Sequence, residues 1–470
     1  MYKLNKDIFY LIFENLENNL YSCLLVNKTW CEIVVPMVWR NPWKEPFYLR
    51  NKQEKLLKVI ISHIPDKTKI KEIYSFLKDN QIHSLDINTY KRPLFDYISF
   101  CKHLNLGSIM RIIDVNIASG RLIVRAEILK LFVNKNLRIT HLYIPKHFNY
   151  QIHLIPGAKS CFSKIEFLRC YTNINNNILT GLLEICKSIK ELKLYIEKYK
   201  YNNNYEITKL IEAQKKLVKI HFKLIYNFCL PHDESFCKVL ENSLIKHSNT
   251  IQYFIMHKPF TTEILSSLVN LKGLDLGSNY LLQESEWSNL ENLSLTSLQF
   301  LKLYRFPFKY SLSLIENTRG SLVEIELYDY FYYSENEYKK IIQVIYQNCP
   351  NLKYLTFSPR DTDTLEIENL LITCQFLNGL HIINQSNIGW DSLFKILIKV
   401  SPIRLYKFYF ENNGPIKLLE SLKFFIDNWK GRRPILLRLA YTMYTKKDAE
   451  TENLLEKYKL EGMIEDLEEW

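Results

Sequence analysis

Tyr338-Lys339-Lys340-Ile341-Ile342-Gln343-Val344-Ile345-Tyr346-Gln347, followed by Cys349-Pro350-Asn351-Leu352-Lys353-Tyr354-Leu355, is the stretch that decides the fold. Its first half reads as a helix-like apolar segment. Its second half opens the strand pattern L-x-x-L-x-L, in which the leucine-type residues point inward and the residues between them point out. Thr180 to Cys186 before Ile189-Lys190-Glu191-Leu192-Lys193-Leu194 repeats the arrangement, as does Thr262 to Val269 before Leu271-Lys272-Gly273-Leu274-Asp275-Leu276. Cys186, Cys349 and Cys374 each stand three positions before the first apolar residue of their strand, a shared register that chance does not readily supply.

The same strand pattern can be placed at Ile139, Phe162, Ile189, Leu217, Ile251, Leu271, Leu298, Leu322, Leu352, Leu377, Leu405 and Leu436. Weaker signals at Ile82-Leu85-Ile87 and Cys101-Leu104-Leu106 suggest an earlier start to the array. The bare pattern carries little weight, because 47% of the residues are hydrophobic. The preceding helix-like segments carry the argument. A strand-turn-helix unit cannot bury its apolar face alone, so neighbours stack into a solenoid with parallel strands on one side and helices on the other. The fold class expected is therefore α/β.

Composition limits what else the chain can be. It has 470 residues, a net charge of +12, 31 Tyr and 26 Phe, but only 12 Gly and 15 Pro, so glycine-rich phosphate loops have little material. No run of 18 uncharged apolar residues suggests a membrane span, and the N-terminus lacks the marks of a leader. Ten cysteines without C-x-x-C or regular pairing suit reduced thiols, hence a cytoplasmic or nuclear setting with no disulfide framework. Phosphate loops, H-E-x-x-H, G-x-S-x-G and dinucleotide fingerprints are absent from the sequence. Cys229, His232, Asp233 and Cys237 fit no common zinc spacing, and Asp361, Asp363, Glu366 and Glu368 read as loop charges. No enzyme activity and no cofactor are expected.

The first forty residues read differently. Leu4, Ile8, Ile12 and Leu16 make one helical stripe with Phe13 beside it. Leu20, Cys23, Leu24, Val26 and Trp30 form a second apolar group, and Ile33, Val34, Val38 and Trp39 a third around Pro36. Three short helices bury too little to stand alone, so their apolar faces must meet the next domain or another protein. Leu4-Asn5-Lys6-Asp7-Ile8, Ile12-Phe13, Leu16, Leu24-Leu25-Val26-Asn27-Lys28-Thr29-Trp30 and Trp39 together resemble an F-box over about 40 residues. Asn5 occupies the place where that family has proline after leucine. The array that follows resembles the cysteine-containing leucine-rich repeats that often come after an F-box. The asparagine usual after the last motif leucine stands only at Asn279 and Asn413, and uneven steps predict an irregular arc.

The resemblance implies a substrate-selecting adaptor of a cullin-type ubiquitin ligase. The F-box would dock a Skp-type adaptor, and through it the cullin, by Leu4, Asn5, Ile8, Ile12, Leu16, Leu24, Val26 and Trp30. Residues 1–45 would be the F-box, 46–135 a helical linker with irregular first repeats, 136–445 a leucine-rich-repeat horseshoe with concave parallel strands and convex helices, and 446–470 an acidic cap or tail. A substrate protein would lie on the concave face, against Lys193, Tyr195, Lys219, His221, Lys223, Tyr253, Lys302, Tyr304, Tyr328, Tyr354, His381 and Tyr409. The competing reading is a ligase-independent repeat scaffold whose basic body binds an acidic partner or nucleic acid.

Overall fold

The computed structural model describes residues 5–16, 20–44, 50–76, 93–197, 203–224, 234–257, 262–277, 284–291, 293–328, 333–384, 389–412, 418–429, 431–441 and 449–466. Among them are eighteen α-helices and fourteen strands, and every described strand pair is parallel. The chain divides into two compact units, Met1–Leu217 with Lys223–Ser243, and Val218–Phe222 with Leu244–Trp470.

The first unit opens with three helices, α1 (Lys6–Glu14), α2 (Leu20–Cys23) and α3 (Lys28–Arg40). Asn27 starts α3 by accepting the Trp30 N–H at 2.9 Å, which satisfies a donor the first helical turn leaves open. Phe13, Cys23, Ile33 and Val34 form the small core, with Phe9, Leu20, Leu24, Trp30, Met37 and Val38 packed around it. α4 (Arg50–Ile61) and α5 (Lys67–Ser75) follow, separated by Pro65 and by Asp66, whose carboxylate caps α5. Two tryptophans tie the N-terminal helices to the repeats: Trp39 lies against Tyr97, and Trp43 donates its indole N–H to the His103 carbonyl at 2.7 Å.

The strands of this unit then run β1 (His103–Asn105), β2 (His141–Tyr143), β3 (Phe167–Tyr171) and β4 (Glu191–Ile196), with Leu104, Leu142, Leu168 and Leu192 in register. Between them come α6 (Leu106–Asn116), α7 (Arg121–Phe132), α8 (Ala158–Phe162) and α9 (Asn176–Ile185); α10 (Ile207–Glu212) and α11 (Glu234–Ser243) complete the unit. The Cys101-Leu104-Leu106 signal thus falls on a strand, whereas Ile82-Leu85-Ile87 lies outside the described residues.

In the second unit the ladder Ile220, Phe254, Leu274, Leu301, Ile325, Leu355, Leu380, Phe408 and Leu437 joins β5 (Lys219–Leu224), β6 (Tyr253–Met256), β7 (Gly273–Gly277), β8 (Phe300–Tyr304), β9 (Glu324–Tyr328), β10 (Tyr354–Phe357), β11 (Gly379–Asn384), β12 (Lys407–Asn412) and β13 (Ile435–Tyr441). Six described helices of this unit lie between successive strands of this ladder: α12 (Ile264–Ser267), α13 (Phe308–Glu316), α14 (Glu335–Asn348), α15 (Thr364–Thr373), α16 (Trp390–Val400) and α17 (Leu419–Asn428). α14 carries a full capping box, Ser334 with Glu337, and ends at Cys349. The acidic C-terminal segment continues the same pattern: α18 (Ala449–Leu460) leads to β14 (Ile464–Asp466), which pairs with β13. Tyr458 is buried there and donates its hydroxyl to Asp427 at 2.8 Å.

Two expected registers are corrected. The third strand is phased on Ile165, Leu168 and Cys170, so the placement at Phe162 is three residues early; Phe162 is the last residue of α8. The thirteenth pairs Leu437 with Phe408, where a motif beginning at Leu436 would pair Leu439, so the motif shifts by two. In both places a run of apolar residues satisfies the pattern in two phases, and burial selects one. Asn279 and Asn413 lie outside the described residues.

Candidate functional site

On the N-terminal helices the stripe read from the sequence splits in two. Phe13 is fully buried, stacked on Phe9 and meeting Trp30 edge-on at 5.0 Å between ring centres. Trp30 and Leu24, expected to contact an adaptor, are partly buried and pack against this small core. Ile8 is 45% exposed and Ile12 44%; Leu16 and Val26 are exposed as well, and Leu25 is 91% exposed. Leu11, which the four-residue spacing does not select, joins them at 61%. Leu4 lies outside the described residues. Asn5 begins α1 with φ −64° and ψ 150°, the extended conformation a proline also holds, and its side chain contacts Asp7 rather than capping the helix. Lys6 reaches Glu32 at 3.2 Å, fastening α1 to α3.

In β3, β4, β8 and β9 inward and outward residues alternate in burial, as the period of two requires, whereas β11 is buried at every position. The outward side of the first unit is a run of rings. His103 stacks on His141 at 3.8 Å, His141 lies 5.4 Å from Phe167, and Tyr143 lies 5.1 Å from Phe167. Tyr171 stacks on Tyr195 at 4.9 Å. Arg169 bridges Tyr143 and Tyr195, and Lys193 and Lys223 also come within about 6 Å of the Tyr195 ring. Burial pushes the His103 imidazole down to about 4, with His141 and Arg40 adding to the effect. A third strand phased on Phe162 misses Phe167, Arg169 and Tyr171; the buried Ile165-Leu168-Cys170 frame finds them.

The outward side of the second unit is paired with itself. Lys302 binds Glu326 and lies over Tyr328; His257 meets Asp275 at 3.1 Å; Lys407 covers Tyr354 and Arg438 covers Tyr409. Glu324 is raised by burial and by the neighbouring Glu326. Lys219, His221, Tyr253, Tyr304, Tyr328, Tyr354 and Tyr409 are half-buried at outward positions. His381 differs: it is buried, stacked on Tyr409 at 4.0 Å, with Glu411 at 3.5 Å. It props the Tyr409 ring and offers little surface itself. Gly273 and Gly277 explain how rings lie flat here. A Cβ on Gly273 would come within 2.5 Å of the Tyr253 ring, and one on Gly277 within 3.0 Å of His257.

The other polar clusters hold helices together. Asp363 accepts the Arg360 N–H, Asp361 the Gly389 N–H, Glu366 meets Gln343 and Tyr346, and Glu368 meets Lys399. Cys186 and Cys374 point their thiols at the carbonyls of Phe162 and Cys349, and burial raises Cys186, Cys349 and Cys374 to about 12. Gln214, in the same register, makes the corresponding bond to the Cys186 carbonyl at 3.0 Å. Cys229, His232 and Asp233 lie outside the described residues, among which no group of three His, Cys, Asp or Glu is placed to hold a metal ion. No described helix is long and apolar enough to cross a membrane. No family model matches this chain, and no curated protein matches it.

Proposed function

We propose that this chain is a substrate-recognition adaptor: its N-terminal helices form an F-box that docks a Skp-type adaptor, and through it a cullin-type ubiquitin ligase, while the outward strand face holds a substrate protein. The observation that carries the reading is the exposed apolar set Ile8, Leu11, Ile12, Leu16, Leu25 and Val26. Ile8, Leu11 and Ile12 lie on α1, Leu16 just after it, and Leu25 and Val26 in the turn between α2 and α3, while the module's own core is formed by Phe13, Cys23, Ile33 and Val34. So many large apolar side chains left in water on one small module are a mark of protein contact. The extended backbone at Asn5 supports the reading too, because it keeps the geometry of the family's proline.

The strand face supports the second half of the reading. Tyrosines with polar tips and apolar bodies, set on a rigid ladder, make good anchors for a protein surface. The test is co-expression of the full chain with a Skp-type adaptor followed by size-exclusion chromatography. Co-elution as a stoichiometric complex is expected; separate elution at micromolar concentrations rejects the docking half of the proposal.

A further inference from the structure

The helix side of the first unit carries a cleft that neither the exposed helix stripe nor the strand face uses. It lies between α6, α7 and the segment 145–150 that leaves β2, and it has a volume of about 570 Å³, within the range of small-molecule sites. Arg111 enters from α6, Arg125 from α7 and Lys146 from the segment after β2, with Met110 and Phe148 as apolar wall. One carboxylate, Asp114, lines it and lies 3.9 Å from Arg121.

The charges are not balanced from within. Lys146 is engaged by Glu197 at 2.9 Å, but Arg111 and Arg125 have no carboxylate within ion-pair distance among the described residues. The Nε of Arg125 is buried and finds no acceptor there either. A guanidinium N–H withdrawn from water without an acceptor costs free energy, and in native proteins such a group is normally answered by a protein acceptor, a water or an ion. His147, on the rim, holds φ at 59°, a left-handed conformation that is uncommon for a residue other than glycine and recurs at binding sites.

We infer that this cleft binds a small phosphomonoester, with its phosphate shared by Arg111 and Arg125 and its carbon skeleton against Met110 and Phe148. Two forked guanidiniums from different helices ask for more acceptor positions than the two oxygens of a carboxylate, and a phosphate presents three outward oxygens. The inference is independent of adaptor docking and stands or falls by itself.

The test is titration calorimetry on the full chain at constant, near-physiological ionic strength, with ribose 5-phosphate, ribose, inorganic phosphate and a phosphoserine peptide as probes. Saturable binding of ribose 5-phosphate, tighter than that of inorganic phosphate and absent for ribose, is expected. Arg111→Gln and Arg125→Gln should each weaken it by about tenfold or more, the loss of one charge-assisted contact. Arg111 is exposed, so its variant keeps the test valid should Arg125→Gln disturb the fold. No saturable binding by about 10 mM, binding that both variants leave unchanged, or equal affinity for inorganic phosphate would each overturn the inference. Arginine-dependent binding of the peptide without binding of the sugar phosphate would assign the cleft to a protein segment and overturn it as well.

Discussion

Ile8 and Phe13 lie on the same nine-residue helix, and the structure predicts opposite outcomes for damaging them. Phe13 is fully buried between Phe9 and Trp30, so Phe13→Ala should cost about 3–5 kcal/mol, enough to melt a module this small. Ile8 keeps 45% of its surface in water. Full burial of an isoleucine is worth about 1.5–3 kcal/mol, so Ile8→Asp should lose roughly 1 kcal/mol in the free protein and shift its melting temperature by only a few degrees. If an adaptor covers Ile8, the same carboxylate must be buried without a partner, which costs several kcal/mol and weakens docking by about a hundredfold or more. The assay pairs a thermal melt with the affinity of each variant for a Skp-type adaptor, and Ile12→Asp, at 44% exposure, should behave like Ile8→Asp. Wild-type affinity with Ile8→Asp and Ile12→Asp combined would refute the docking reading. A melt as damaged as that of Phe13→Ala would refute the burial argument behind it.

The buried Cys186, Cys349 and Cys374 should resist a thiol reagent in the folded chain at pH 8 and react on unfolding, since burial holds them near 12; fast reaction of all three without denaturant contradicts this. Gly181→Ala, which in most helices stabilises, should here destabilise by about 1–2 kcal/mol because the new Cβ would lie 2.2 Å from the His153 ring; a raised melting temperature would show that the contact is absent. His103 titrates near 4 folded against 6.5 as a free side chain, so the unfolded chain binds the extra proton between those values and stability should fall as pH drops from about 6.5 to about 4; His103→Gln should flatten that part of the pH–melting curve, and an unchanged slope would count against the buried stack with His141.

The ladder was legible where one phase alone fits. Leu352-x-x-Leu355-x-Phe357 has polar or solvent-facing residues between its apolar ones, so Tyr354 could be assigned to the outward face directly. Phe162 to Cys170 offers two apolar frames, and the true one uses a cysteine where a leucine would have announced itself. Choosing the other frame hid Arg169, the side chain that bridges two rings of the first unit. On the N-terminal helices the four-residue spacing identified the stripe but could not divide it. Whether Trp30 turns inward depends on Phe9 and Phe13 reaching it across the bundle, which is a tertiary matter. The Arg111–Arg125 cleft left no sequence signal, because its residues come from two helices and a connecting segment that meet only once the repeats stack.

The two units also differ in how their outward charges are used, and that difference bears on what each can recognise. In the second unit, Lys302 with Glu326 and His257 with Asp275 are opposite charges on neighbouring strands, so a partner gains little from either without first breaking a pair. What that face offers a partner is ring area: Tyr253, Tyr304, Tyr328 and Tyr409, held in place by glycines and by the buried His381. In the first unit Arg169, Lys193 and Lys223 gather about the single ring of Tyr195, with Tyr171 stacked behind it. Lys407 over Tyr354 and Arg438 over Tyr409 set single cations on single rings in the second unit, so what distinguishes the first is the gathering of three on one ring. Under the adaptor reading, a substrate seated on the first unit's strand face would meet three cations around one ring, and its binding should weaken as salt rises; affinity unchanged between low and high salt would count against that placement.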